Sequence, residues 1–343
     1  MKIVVYGASG YTGRLVVAEL ARRGTGVVLA GRDLARLRAA AAGAGVPDAE
    51  VRVAQAGDAA AFHGCDVVVN CAGPFVVTGD AVVRAAIAAG CHYVDIAGEQ
   101  VHMKRTFDTF AGPAQQAGVS VVPGVNDDGL PGDLLAHLVA EQTEAVEEVV
   151  LGVHLARGDG APSRGTLRTA FTNLDTFRSG GLGYEDGRWH DDIPTRRVSL
   201  AFPGDDRPAP VRKFPLPGVV TVPRHVPARH VSGVAKAEVV AAFSTITPEL
   251  LDAVPEGPAE DHRRAGRWTL VVEAAGREGD RARGVVQGSD IQGSTAVIVV
   301  EAAHRLAVNG AVPGVLAPAQ AFESADFLDT LAPHGVTWAV DSV

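Results

Sequence analysis

Met1-Lys2-Ile3-Val4-Val5-Tyr6-Gly7-Ala8-Ser9-Gly10-Tyr11-Thr12-Gly13 decides the fold. A short apolar run meets three glycines spaced G-x-x-G-x-x-G, and Leu15-Val16-Val17-Ala18-Glu19-Leu20 opens a helical pattern directly behind them. Strand, glycine turn and helix start, in that order, make a phosphate cradle. The glycines let backbone approach a pyrophosphate, and the helix start offers free N–H groups to its charge. The reading predicts a dinucleotide site on Gly7, Ser9, Gly10, Tyr11, Thr12 and Gly13, with the Ser9 and Thr12 hydroxyls near the phosphates.

The alternation continues for about 140 residues. Ile3–Tyr6, Val27–Ala30, Val51–Ala54, Val67–Asn70, Tyr93–Ile96 and Ser120–Val122 read as strands. Gly13–Arg23, Leu34–Gly43, Asp80–Ala89, Glu99–Ala117 and Pro131–Ala140 read as helices. Gly24, Gly43, Gly90 and Gly118 stand at or just past helix ends, where a left-handed cap favours glycine. This is the pattern of a doubly wound parallel α/β sheet.

After Glu144 the texture changes. Glu148–His154, Val219–Val222, Val239–Phe243, Thr269–Ala274 and Arg283–Gln287 read as strands, between glycine-rich loops at Gly158–Gly165 and Ser179–Gly187 and a proline-dense stretch at Phe202–Pro217. Ala296–Val300 fits a strand, but Thr295–Leu306 fits a helix better. The domains expected are 1–140 for the nucleotide, 141–300 as an α+β domain on a mostly antiparallel sheet, and 301–343 packing back on the first.

The residues at the strand tips choose the nucleotide. An NAD site usually ends its second strand in an acidic residue that accepts from the ribose hydroxyls. Here Gly31 and Arg32 stand there, and a guanidinium pairs with a 2′-phosphate. Asp33, one place on, either serves the ribose or caps the helix from Leu34, its commoner use. The balance favours NADP(H). Asp58 either accepts from the adenine amine or caps the next turn. Cys71, Ala72, Gly73, Pro74 and Phe75 follow the fourth strand, where a ligand bound outside the carboxyl ends passes its nicotinamide ribose.

Composition excludes several classes. The chain has 343 residues, a net charge of −9 and 47% hydrophobic residues, with no basic cluster for nucleic acid. No apolar stretch approaches the roughly 18–20 residues of a membrane span, and no signal-peptide pattern opens the sequence, so a cytosolic location is expected. Cys65, Cys71 and Cys91 form no CxxC pair, and His63, His92 and His102 supply no ligand spacing, so no metal site is expected.

GASGYTGRLVVAELARRG, LAGRDLARL, VVVNCAGPFVVTGDAVVRAAIAAGCHYVDIAGE, PGVNDDGLPGDLLA and, further on, VPEGPAEDHRRAGRW and TAVIVVEAAHRL together resemble the saccharopine dehydrogenase-like oxidoreductases. The branch most similar includes trans-acting enoyl reductases of lipid and polyketide assembly. The resemblance implies a Rossmann-type first domain, a second domain for substrate and dimerisation, NADP(H), and a possible homodimer. Two departures make the substrate pocket more polar: Asn126-Asp127-Asp128 replaces a GFD-type run, and Ile291-Gln292-Gly293-Ser294 stands where an aromatic is frequent.

Hydride transfer needs a proton donor or oxyanion stabiliser beside the nicotinamide. None of Tyr6, Tyr11, Tyr93 and Tyr184 has lysine four residues on, which excludes the Tyr-x-x-x-Lys machinery of short-chain dehydrogenases. Tyr93 and Asp95 share one strand face at a site-facing end and are the catalytic candidates. Glu99, Asn126, Asp127, Asp128 and Arg164 are the substrate candidates; Pro131 and Asp133 read as a helix start. The expected activity is reduction of a conjugated C=C bond of a small molecule. The alternatives are C=N or C=O reduction, or an NADP(H)-binding sensor without catalysis.

Overall fold

Lys2–Tyr6 (β1) lies in the middle of a seven-stranded parallel sheet, and its Ile3, Val4 and Val5 are fully buried. Strands covered on both faces read as unbroken apolar runs, which explains Val27–Ala30 and Val67–Val69 as well. The computed structural model describes residues 1–156, 162–244 and 246–342. They form two units. The first comprises Met1–Ala97, Val101–Asn126 and Gln292–Leu316; the second comprises Gly98–Gln100, Asp127–Ile291 and Ala317–Val343.

In the first unit, β2 (Gly26–Gly31) and β3 (Glu50–Val53) extend the sheet on one side of β1. On the other side lie β4 (Val67–Asn70), β5 (His92–Asp95), β6 (Ser120–Val122) and the edge pair Gly314–Val315. The order reverses between β1 and β4, which opens a crevice at their carboxyl ends. Helices α1 (Tyr11–Arg22), α2 (Leu34–Gly43), α3 (Phe75–Ala88) and α4 (Gln100–Ala117) connect successive strands. The helix Ile291–Asn309 then returns to this unit. Its Glu301 pairs with Arg23, which caps the end of α1, and with Arg305, and Arg23 also pairs with Glu19.

In the second unit, β7 (Val146–Ala156) is central to a mixed, mostly antiparallel sheet. It also contains β8 (Gly183–Glu185), β9 (Arg188–His190), β10 (Ser199–Leu200), β11 (Ala209–Lys213), β12 (His230–Lys236), β13 (Arg267–Gly276), β14 (Arg281–Ser289) and Thr337–Ser342. β12 pairs with β7 in parallel. Helix α5 (Leu130–Ala140) lies against one sheet face. Gly284 permits that approach, because a β-carbon there would stand 2.6 Å from Val139 and 2.7 Å from Leu135. On the other face Val150, Val234 and Val271 pack with Leu200, Phe202 and Val211.

The first turn of α5 carries the fully buried Asp133. Its Oδ1 pairs with His225 Nε2 at 3.0 Å, and its Oδ2 accepts the backbone N–H of Ala319 at 2.9 Å. Burial alone would lower the His225 pKa, but the Asp133 charge overrides it and the net shift is upward. Burial likewise pushes Asp133 up, and His225 pulls it below the usual range.

The structure corrects several expectations. Val219–Val222 is helical, in Gly218–Thr221 and the 3-10 turn Val222–Arg224, and Val239–Phe243 lies inside the helix Ala237–Ser244. Val219–Val222 is a β-branched run and Val239-Val240 opens the other stretch, so both mimic strands; Val219, Val220 and Val222 are buried, and periodicity cannot separate a short buried helix from a strand. Ser179–Gly187 contains β8 rather than only loop. Of the Gly158–Gly165 loop, 157–161 lie outside the described residues, and Arg164 and Gly165 begin a helix. Residues 127–140 belong with the second unit, because α5 buries its apolar face on that unit's sheet. In the C-terminal stretch, only residues up to Leu316 join the first unit.

Candidate functional site

The glycine turn sits on the crevice between β1 and β4. Gly7 adopts φ +82°, and its N–H donates to Ala30 of β2. A β-carbon on Gly7 would meet Cys71 and Ala72 at 3.0 Å, so the glycine turn and the segment after β4 are in close contact. A β-carbon on Gly13 would stand 2.2 Å from the Gly7 carbonyl oxygen. Glycine is therefore required for α1 to start against the turn. Gly10 caps α1 with no side-chain hydrogen bond, and no acidic residue stands in the first turn. The N–H groups of that turn face a cradle suited to a pyrophosphate, while Arg14 Nη1 donates to the Ser9 carbonyl at 2.9 Å.

At the tip of β2 the chain turns outward through the exposed Arg32. Asp33 caps α2, its Oδ1 accepting the backbone N–H of Arg36 at 3.1 Å. The Arg36 guanidinium reaches back to the Ser9 carbonyl at 3.4 Å. Arg32 and Arg36 therefore stand exposed beyond the tip of β2, and the carboxylate between them is engaged as a helix cap. Asp58 caps the turn Ala59–Phe62 by accepting from Ala60 at 3.2 Å.

The segment Cys71–Phe75 is anchored from two sides. Asn70 Oδ1 accepts the Ala72 N–H at 3.0 Å, and Thr78 Oγ1 donates to the Ala72 carbonyl at 2.8 Å. Burial and the nearby Asp95 charge push the Cys71 thiol up to about 12, which leaves it a neutral thiol rather than a nucleophile.

Tyr93 and Asp95 are both fully buried. They share one face of β5, as their spacing predicts, and the Tyr93 hydroxyl donates to Asp95 Oδ2 at 2.9 Å. Tyr93 Oη accepts from Asn70 Nδ2 at 3.0 Å. Asp95 Oδ1 accepts two backbone N–H groups, from Ala97 at 3.1 Å and Gly124 at 2.9 Å. Burial, then the Asp95 charge, raise the phenol well above its ordinary value. The hydroxyl stays protonated and enclosed.

The substrate candidates are divided between the two units. Asn126 is buried and belongs to the first unit, whereas Asp127 and Asp128 belong to the second. Within the second unit Glu99 is buried and accepts from Asn173 Nδ2 at 3.2 Å. Arg164 donates from Nε and Nη2 to the Val254 carbonyl at 3.0 and 2.7 Å. Sequence reasoning placed Asn70 only as the end of the fourth strand, in the segment running to Phe75, and missed His102 and Asp80. Their signal was weak, because partners 7 to 23 residues apart follow no local period. His190, Asp191 and Asp192 form the one cluster among the described residues with metal-ligand proximity, and all three are exposed.

Residues 3–122 match the family model described as "Saccharopine dehydrogenase NADP binding domain". Among curated proteins, the chain is similar to "Lipid droplet localized protein" of Caenorhabditis elegans, 31% identical over 198 residues that make up 53% of this chain and 46% of that protein. It is also similar to "Trans-acting enoyl reductase" of Mycobacterium ulcerans (strain Agy99), 33% identical over 144 residues, 40% of this chain and 34% of that protein. These matches span less than half the length of either relative. The apo saccharopine dehydrogenase (L-Glu forming) of Saccharomyces cerevisiae has the same fold: the TM-score is 0.61 at 15% identity, covering 100% of this chain and 99% of that one. No helix among the described residues is long and apolar enough to cross a membrane.

Proposed function

We propose, from a chain whose residues 3–122 match the family model of the saccharopine dehydrogenase NADP-binding domain, that the protein is an NADP(H)-dependent oxidoreductase reducing a conjugated C=C bond of a small molecule. The observation that carries the cofactor half is the engagement of Asp33 as the α2 cap, beside the exposed Arg32 and Arg36. That arrangement suits a 2′-phosphate and offers no carboxylate dedicated to ribose hydroxyls. The bond reduced follows the similarity to a protein named trans-acting enoyl reductase.

A bound nicotinamide supplies the hydride. The chain supplies the rest. The first turn of α1 would hold the pyrophosphate, Arg32 and Arg36 would hold the 2′-phosphate, and Cys71–Phe75 would line the nicotinamide ribose. Tyr93 and Asp95 back that segment through Asn70. Deuteride transfer from labelled NADPH into a panel of enoyl thioesters and imines tests the reading. Deuterium at the β-carbon of an enoyl thioester is expected. Transfer only to imines moves the activity to C=N reduction, and tight NADPH binding with no turnover favours a sensor.

A further inference from the structure

His102 is fully enclosed in the first unit, seven residues beyond Asp95. Its Nε2 lies 2.9 Å from Asp95 Oδ2, and its Nδ1 lies 3.6 Å from Asp80 Oδ1. Gly79 makes room for the ring, since a β-carbon there would stand 2.3 Å from it, and Phe75 lies against it with centroids 5.7 Å apart.

The proton positions along this chain follow from one obligatory donor. The Ala72 backbone N–H must donate, so the Asn70 atom facing it is the oxygen, and the Asn70 amide N–H groups face Tyr93. Tyr93 Oη accepts there and gives its own proton to Asp95 Oδ2. Asp95 Oδ1 already takes two backbone N–H groups, so Asp95 acts as an acceptor throughout. A hydrogen bond from His102 to Asp95 therefore requires a proton on Nε2. The other ring nitrogen faces a second carboxylate. Asp80 Oδ1 is buried with no hydrogen-bond partner among the described residues, while Asp80 Oδ2 pairs with Arg105 Nε at 2.7 Å. A lone pair on Nδ1 would oppose that oxygen; a proton there makes the 3.6 Å approach an ion pair.

We propose that His102 is a positioning residue, held as an imidazolium between Asp95 and Asp80, which anchors the Asp95 end of the chain Asp80–His102–Asp95–Tyr93–Asn70–Ala72 and so supports the Cys71–Phe75 segment. Charges alternate along it: Asp95 negative, His102 positive, Asp80 negative, Arg105 positive. The charged groups facing the ring are Asp95 from β5 and Asp80 from α3. Arg105 of its own helix acts through Asp80, and Tyr93 and Cys71 lie beyond Asp95. His102, then Arg105, holds the Asp80 carboxyl below its usual range, opposing its partial burial. The effect on cofactor rests on the proposed function; the charge of the ring does not.

Ring 15N chemical shifts of the full-length apo protein, assigned by comparison with His102→Gln, test the charge. Both nitrogens of His102 should remain protonated above pH 7.5, where an ordinary imidazole is neutral. A neutral ring at pH 6.5 overturns the proposal. Should His102→Gln fail to fold, Asp80→Asn serves for both assignment and effect. It should lower the pH at which the ring loses its proton by about one unit or more. NADPH affinity of this variant should then fall as pH rises through that new value, while that of the natural protein stays flat. An unchanged ring titration in Asp80→Asn, or parallel affinity profiles, also overturns it. Absence of NADPH binding to the natural protein would instead sink the cofactor reading and leave the ring shifts to decide His102.

Discussion

Asp33 and Arg36 are joined as helix cap and first-turn N–H, with 3.1 Å between the carboxylate oxygen and the nitrogen. This bond removes from the tip of β2 the acidic group that an NAD site would use. Replacing Asp33 by Ala should cost about 1 kcal/mol of stability, the usual value of such a cap. The ratio of NADPH to NADH affinity should not change. Urea unfolding and binding calorimetry measure the two effects, and a large gain in NADPH preference would show that Asp33 contacts the ribose.

Arg32→Ala should weaken NADPH at least tenfold while leaving NADH nearly unaffected, since a charge-assisted bond to phosphate contributes about 1.5–3 kcal/mol. Arg36→Ala should act in the same direction. Equal losses for both cofactors would assign these arginines to the pyrophosphate or to structure.

Gly13→Ala places a methyl group against the Gly7 carbonyl, where only 2.2 Å is available. Helix α1 must then withdraw. We expect a loss of about 1–3 kcal/mol, the usual cost of overpacking. Cofactor affinity should fall further than stability does, read as NADPH titration at a temperature where the variant remains folded.

The Asp133–His225 pair predicts a pH signature. His225 has a raised pKa in the folded protein, so its contribution is complete below its unfolded value and fades as pH rises through the folded one. Asp133 has a lowered pKa, so its contribution is present above its unfolded value and is lost as pH falls through the folded one. The pair therefore stabilises most between about pH 4 and 6.5. Asp133→Asn should cost about 3 kcal/mol in that window, as removal of one buried partner does. The gap between natural protein and variant should shrink at pH 9. A pH-independent gap in melting temperature would show that the charges do not matter.

Glu301→Ala should leave Arg23 and Arg305 without their shared carboxylate and destabilise the protein by about 1–3 kcal/mol, seen as a lower urea midpoint. Arg305→Ala alone should cost less, because the Arg23–Glu301 pair survives.

The parallel sheet was legible in the sequence because each strand is an apolar run and each crossover helix ends near a glycine. Leu34–Gly43 and Val67–Asn70 fall where the pattern places them. Beyond Asn126 the signals conflict. Val239 and Val240 favour a strand locally, yet tertiary packing puts them in a helix. β12 was missed because His230 and Ser232 interrupt its apolar pattern, although both are buried. The site divides in the same way. The phosphate cradle is local, so its glycines declare it. The hydrogen-bonded chain behind Cys71–Phe75 joins Asn70, Tyr93, Asp95 and His102 from three elements, and only the folded sheet brings them together.

The first unit is discontinuous, closed by Gln292–Leu316 after the whole of Asp127–Ile291. During synthesis, a nascent chain ending near Asn126 already carries the glycine turn but lacks the edge pair Gly314–Val315 and the Glu301 partner of Arg23. Completion of the dinucleotide unit must therefore wait until Gln292–Leu316 has been synthesised. A fragment cut at Asn126 would display the motif without its structural support.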